Sequence, residues 1–269
     1  MLNVGCGSVF VCSDDWCNLD YSPRSAAVRK WDLLDKLPFK EESVELVYSS
    51  HFVEHVPRQL VPDLLRDYYR VLKPGGSIRL VLPDLENMAK EYLHKRSTGE
   101  HDKADLVVLE LIDQSVRKRP GGYLGEVLRD IRHDPHLQSS LGHYVFHRLG
   151  EKVDEEIEMK KMGFSVFFQR LLYKIRFFWI RSVCTLLPKA FCRQNVSFAE
   201  IGELHQWLWD FHQMKTELEK AGFVNVQQMS ARTSRIKDFP FYPLDLHKNG
   251  APRKGSCSMY VEAEKKTSL

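Results

Sequence analysis

An α/β fold with a doubly wound, mostly parallel sheet is predicted by three observations. Short β-prone segments at residues 2–4, 18–20 and 44–48 each run into a turn. Leu60, Leu64, Leu65, Tyr68 and Leu72 recur at helical spacing between the last of these and the next apolar strand, 77–82. Glycine sits at the end of the first strand and acidic residues at the ends of the next two, where open parallel sheets hold their ligands.

Each element follows in order. Residues 2–4 form the first strand and lead into Gly5-Cys6-Gly7. Asn18-Leu19-Asp20 ends the second, and Tyr21-Ser22-Pro23 turns the chain. Lys30-Trp31-Asp32 ends the third, and residues 44–48 form the fourth. The helix around Leu64 stops at Lys73-Pro74-Gly75-Gly76, where proline and glycine both break it. The crossovers 7–17 and 20–30 are shorter than the dozen or more residues parallel neighbours normally need, so they are expected as loops or vestigial helices. Asp210 is placed to cap a helix that runs to Lys220 and stops at Gly222. A strand at 224–229 and an alternating, antiparallel final edge strand at 256–263 complete the sheet. Between them the chain turns helical, charged and rich in histidine. The expected organisation is a sheet domain over 1–89 and 203–269, interrupted by a helical insertion or cap over 90–202.

Composition narrows the function classes. A net charge of +3 gives no footprint for nucleic acid. Six cysteines without a CxxC pair suit a reduced, cytoplasmic setting better than a disulfide framework. No signal peptide and no membrane-spanning run are expected. Residues 167–183 stand apart. Phe168, Leu171, Leu172, Ile175, Phe178, Trp179 and Val183 recur at helical spacing, with Arg170, Lys174 and Arg181 on another face. That pattern suits either a helix packed on the core with its cations outward, or a peripheral helix on an anionic membrane surface.

The chemistry starts at Gly5-Cys6-Gly7. A dinucleotide would call for G-x-G-x-x-G and a helix start beneath its pyrophosphate. Residue 10 is Phe instead, which disfavours a nucleotide-dependent oxidoreductase. Asp20 is placed to accept hydrogen bonds from two ribose hydroxyls, and Asp32 from an adenine amino group with Leu33 against the ring. Alone, each aspartate reads equally as a turn or cap residue, and the glycines as a tight turn.

Several blocks in this order resemble class I S-adenosylmethionine-dependent methyltransferases of the type 11 kind. They are LNVGCG, NLDY, WDLLDKLPFKEESVELVYSSHFVEHVP, RVLKPGGSIRLVLPD and AGFVNVQ. The likeness covers about residues 1–86 and 203–265 and is nearest to a branch associated with glycan and cell-envelope biosynthesis. It implies a Rossmann-like sheet and S-adenosylmethionine as cofactor. It places Gly5 and Gly7, with Cys6 between them, at the methionine end, Asp20 and Tyr21 at the ribose, and Asp32 and Leu33 at the adenine. Ser49, Ser50 and His51 would face the sulfonium and the acceptor, followed by a Glu54-His55 pair. The chain departs from the pattern at Asn3, where the family usually has an acidic residue, and in lacking the third glycine.

The expected function is methyl transfer to an oxygen of a small-molecule or glycan-type acceptor; a non-catalytic S-adenosylmethionine-binding protein is the alternative. His51, His55, Asp84 and His205 are the candidate bases. Their competing roles are helix-start packing for His55 and an N-cap for Asp84. The histidines His133, His136, His143 and His147 have spacings that can hold zinc, but Pro135 interrupts the first pair and no cysteine is near, so no metal is expected. A solvated or acceptor-lining cluster is the expectation there. Oligomeric state is left open.

Overall fold

The computed structural model describes residues 1–150, 175, 177–199 and 202–267. Seven strands form one sheet: β1 (Leu2–Val4), β2 (Cys17–Asp20), β3 (Val28–Lys30), β4 (Val44–Ser50), β5 (Leu72–Pro83), β6 (Phe223–Met229) and β7 (Ser258–Lys265), in the order β3-β2-β1-β4-β5-β7-β6. The first five pair in parallel, and β7 runs antiparallel to both β5 and β6. The final strand is antiparallel as expected, but it is not an edge. It lies between β5 and β6, and its buried residues on both faces, Met259 to Ala263, explain why.

One face is covered by helices. In α1 (Val61–Val71) the buried residues Val61, Leu64, Leu65, Tyr68 and Val71 follow the helical repeat and pack on Leu2, Val4, Leu19 and Leu80. Beside it a C-terminal helix over Phe211–Lys220 buries Met214 and Leu218, and the Asp210 carboxylate caps it by accepting from Gln213 N–H at 2.7 Å. The proline-glycine segment after α1 does not separate helix from strand. Leu72 already pairs with Val44, and residues 73–76 are looped out before pairing resumes at Ser77 with Leu46.

On the other face no helix among the described residues covers β1–β3. Residues 5–16 and 21–27, the two short crossovers, are turns and extended chain. What replaces a helix is a pair of buried amides. Asn3 and Asn18 are register partners on β1 and β2. Asn3 Nδ2 donates to the Val9 carbonyl and Asn18 Nδ2 to the Val11 carbonyl, both at 3.1 Å. They hold the 9–11 loop down, and Val11 and Trp16 pack with Tyr48, Val81, Phe239 and Leu244. An acidic side chain at position 3 would have no proton to donate, which gives Asn3 its physical reason.

Further along this face the segment between β6 and β7 closes over Arg79, which is fully buried in mid-β5. Its guanidinium meets Asp245 (Nη2–Oδ2 2.6 Å) and Glu262 (Nη1–Oε1 2.5 Å) and donates to the carbonyls of Ser230 and Thr233. Tyr48 adds a hydroxyl bond to the same Asp245 at 2.8 Å.

Helices follow β5: α2 (Leu85–Ser97), α3 (His101–Val116), α4 (Gly122–His133) and α5 (His143–Leu149). Helix α2 begins at Leu85, so it crosses the expected boundary at residue 89. A buried Arg148–Glu110 pair, 2.7 Å apart, ties α5 to α3. Residues 147–150 then dock on 253–256. A side chain at Gly255 would meet the Arg148 carbonyl at 2.0 Å, so only glycine admits this approach. Of the 167–183 segment, residues 167–174 and 176 lie outside the described residues. Residues 177–184 are helical, with Phe178 and Trp179 exposed. No helix among the described residues is long and apolar enough to cross a membrane.

Candidate functional site

The carboxyl ends of β1, β2 and β4 bring the sequence candidates together. Gly5 and Gly7 both have positive φ, +68° and +54°. The Gly5 and Cys6 N–H groups donate to the Leu19 carbonyl, which folds the turn back over β2. The Gly7 N–H donates to Asp20 Oδ2 and the Ser22 N–H to Asp20 Oδ1, each at 2.8 Å. Each carboxylate oxygen therefore keeps one lone pair, enough for two hydroxyl donors. Asp20 is half-buried and Tyr21 is exposed beside it. The two glycines differ in their surroundings. A Cβ on Gly5 would meet Phe52 at 2.8 Å, whereas nothing stands within 4 Å of Gly7. Gly7 thus offers an open backbone face next to a carboxylate, and these residues fit an adenosine-bearing cofactor.

Asp32 is exposed and accepts from its own turn, Leu34 N–H, at 3.1 Å. Leu33 differs from expectation. Its side chain is buried in the helix-side core, because Leu33 faces α1 while Leu34 faces out. Ser49 is also turned inward: its hydroxyl donates to the Val4 carbonyl at 2.9 Å and joins β4 to β1. Ser50 is half-buried at the strand end. Cys6 is buried, and burial, aided by the Asp20 charge, pushes its thiol up to about 12.

His51 follows with φ +51°, a left-handed backbone unusual for a side-chain-bearing residue and common at functional positions. Its N–H holds the Val81 carbonyl at 2.7 Å. Its ring is fixed at both ends, Nδ1 3.2 Å from Glu54 Oε1 and Nε2 3.0 Å from Ser258 Oγ. Burial, with the Lys254 charge, pushes the imidazole below its usual value, against the opposing pull of Glu54. Glu54 is fully buried in the turn Val53–His55. Burial opposes its ionisation, but the imidazoles of His51, His55 and His205 outweigh that and hold the carboxyl at about 2.

His205 arrives from 150 residues further on. Its ring stands edge-on to His55, centroids 4.9 Å apart. Burial holds it at about 4 despite Glu54. Asp84 has a structural occupation. It is buried, caps α2 by accepting from Glu86 and Asn87 N–H at 3.0 and 3.3 Å, and burial raises its pKa. Of the nearby tryptophans, Trp209 is core and Trp207 lies exposed under Arg58.

A cleft of 540 Å³ opens between α5 and the C-terminal segment, with Ser258, Ser256, Lys254, Arg232, His143 and His147 among its lining. His143 and His147 thus stand apart from His133 and His136, which are exposed. Sequence reasoning missed Ser258 and the partnership of Glu54 with His51. The spacing His51-x-x-Glu54 was the available signal for the second; nothing local signalled the first.

Strand order, glycine turn and acidic strand ends define a Rossmann-like domain whose strand ends suit a nucleoside-bearing cofactor. Residues 2–80 match the family model described as a methyltransferase domain. That likeness, to methyltransferase domains, runs through the parallel part of the sheet from β1 into β5. No curated protein sequence matches the chain. Among solved structures, a possible exported protein from Bordetella parapertussis is 13% identical over 99% of this chain, with TM-score 0.39, and this chain spans 61% of its length. S-adenosylmethionine-dependent methyltransferases from Archaeoglobus fulgidus (12% identity, 98% of this chain and 85% of that one, TM-score 0.39) and Methanosarcina mazei (13%, 99% and 92%, TM-score 0.41) are also similar.

Proposed function

We propose that the chain transfers the methyl group of S-adenosylmethionine to a hydroxyl oxygen of a small-molecule or glycan-type acceptor. One observation carries this reading: the chain of contacts Glu54–His51–Ser258, which starts on the β4 turn and ends in the 540 Å³ cleft. The cofactor supplies an already activated methyl carbon, so the protein has to align the acceptor and accept its proton. Glu54 orients His51 with Nδ1–H toward the carboxylate, which leaves Nε2 as the acceptor facing Ser258. Burial keeps that imidazole neutral, ready to take a proton, and Glu54 then stabilises the imidazolium. Asp20 holds the ribose hydroxyls, Gly7 lies along the methionine end, and Asp32 accepts from the adenine. The division into a sheet domain over 1–89 and 203–269 and an insertion over 90–202 belongs to the same reading, with the insertion walling the acceptor cleft.

The test uses methyl-labelled S-adenosylmethionine with pools of hydroxyl-bearing glycans and small molecules. His51→Ala should lose at least tenfold in transfer and leave S-adenosylhomocysteine affinity unchanged. Cofactor binding without transfer to any pool would favour the non-catalytic alternative. A glycan acceptor on a lipid would make peripheral membrane contact useful, and exposed Phe178 and Trp179 support that contact through residues 167–183. Vesicle co-sedimentation of the wild type against Phe178→Ala/Trp179→Ala checks it; equal pelleting removes it.

A further inference from the structure

The turn Val53–His55 and the 204–207 segment are clamped together through their backbones. Gln206 and Trp207 N–H both donate to the Glu54 carbonyl, at 2.6 and 3.3 Å, and His205 N–H donates to the Gln114 carbonyl at 2.9 Å. The clamp collects three side chains, Glu54, His55 and His205, such that one donor atom of each lies within 4.8 Å of the others.

Their polar atoms are left in an unusual state. Glu54 Oε2 and His205 Nδ1 are buried without a hydrogen-bond partner, and Glu54 Oε1 has only the His51 imidazole, 3.2 Å away. Buried polar atoms are overwhelmingly paired, so two orphans in one cluster point to a ligand. His55 defines the sign of that ligand. Its Nδ1 lies 2.9 Å from the Leu204 carbonyl, which can only accept, so Nδ1 carries a proton and Nε2 is the ring nitrogen left for a ligand. Nε2 lies 3.9 Å from Glu54 Oε1, so the imidazole and the carboxylate converge on one point. An imidazole whose other nitrogen is fixed by a backbone carbonyl is the usual arrangement of a metal-bound histidine.

We propose that Glu54, His55 and His205 bind a divalent transition ion of borderline softness, with Zn²⁺ as the best match. Two imidazoles and one carboxylate suit zinc, cobalt or nickel, whereas magnesium and calcium take oxygen ligands. Three protein ligands leave coordination positions open. The partly exposed His55 side chain, 17% accessible, gives an entry path. Donor atoms of a tetrahedral zinc lie about 3.3 Å apart, so binding draws the three side chains together. Glu54 can serve the ion and His51 at once, since a carboxylate has about four lone-pair sites.

The site stands on these side chains and not on the identity of the acceptor. Its test therefore omits S-adenosylmethionine, and its failure leaves the methyl-transfer reading intact. Chelator-treated, full-length protein is titrated with Co²⁺ and then Zn²⁺. The wild type should bind one equivalent, show the visible absorption of nitrogen-ligated cobalt, lose it to zinc, and melt higher in zinc. His205→Gln, which keeps the bulk without the imidazole, should weaken binding at least tenfold. His55→Ala/His205→Ala should abolish the cobalt spectrum, while His133→Ala/His136→Ala keeps it. Wild-type protein that holds no ion after gel filtration overturns the proposal, and this arm requires no variant to fold. Equal binding by the wild type and the His55→Ala/His205→Ala variant also overturns it, because the ion would then sit elsewhere.

Discussion

The Gly7 N–H donates to Asp20 Oδ2 at 2.8 Å, so the second strand's acidic end holds the first strand's glycine turn in place. Asp20 therefore does two jobs. It shapes the turn, and in the proposed reading its remaining lone pairs hold the ribose. Asp20→Ala removes both and should weaken S-adenosylhomocysteine binding at least tenfold by calorimetry, since a hydrogen bond to a charged group contributes roughly 1.5–3 kcal/mol. Asp20→Asn keeps one acceptor oxygen and should lose less. Unchanged affinity in the alanine variant would put the ribose elsewhere.

How much of this was legible depends on whether a signal is local. Leu64, Leu65 and Tyr68 announce α1 by spacing alone, and Asp210 announces the helix it caps. The interior position of β7 was not legible from alternation, because burial on both faces comes from β5 and β6, which pair with it over long separations. Asn3 read as a departure from a family pattern. Only the loop it holds, Val9 to Val11, shows why an amide stands there. At the site, the glycine turn and the acidic strand ends were readable as types. Leu33 and Ser49 were placed by sequence on the cofactor side; the turn after β3 buries the first, and the β4 pleat turns the second inward. Ser258 and His205 reach His51 and Glu54 from more than 140 residues away, and no local pattern encodes that approach.

Gly5 and Phe52 make a second prediction. With φ at +68° and Phe52 Cβ 2.8 Å from where a side chain would begin, Gly5→Ala meets both backbone strain and a clash. The strain alone is about 1–3 kcal/mol. The expected outcome is a lower Tm and weaker cofactor binding. Adding Phe52→Ala should recover binding in part by relieving the clash. A Gly5→Ala protein as stable as the wild type would show that the turn adapts.

Arg79 makes the third. Its two carboxylate partners, Asp245 and Glu262, are buried with it. Arg79→Met leaves both charges unpaired, and breaking a buried pair this way costs about 3–5 kcal/mol. In thermal melts that is roughly a 10 °C fall in a chain of this size. Arg79→Met/Asp245→Asn/Glu262→Gln removes the orphaned charges and should recover much of the loss. If the triple variant melts no higher than the single one, the packing of Arg79 over Phe239 and Tyr260 matters more than its charge.

The cysteines give a fourth, and its sign follows from burial. Of the six thiols, Cys12 is exposed while Cys6 and Cys257 are buried. Burial, then the Asp20 charge, raises Cys6 to about 12; burial, then Glu110, raises Cys257 to about 11. The thiolate is the nucleophile, so both stay neutral and inert near pH 8. Iodoacetamide followed by mass spectrometry should label Cys12 first and leave Cys6 and Cys257 nearly untouched until denaturant is added. A folded pKa above the ordinary value of 9.0 also means stability that is complete below pH 9 and declines as pH rises through 11 and 12. The Tm should accordingly fall as pH rises through 11 and 12. Labelling of Cys6 as fast as Cys12 in the native protein would mean that the glycine turn opens to solvent on its own, and that Phe52 and Asp20 do not hold it closed.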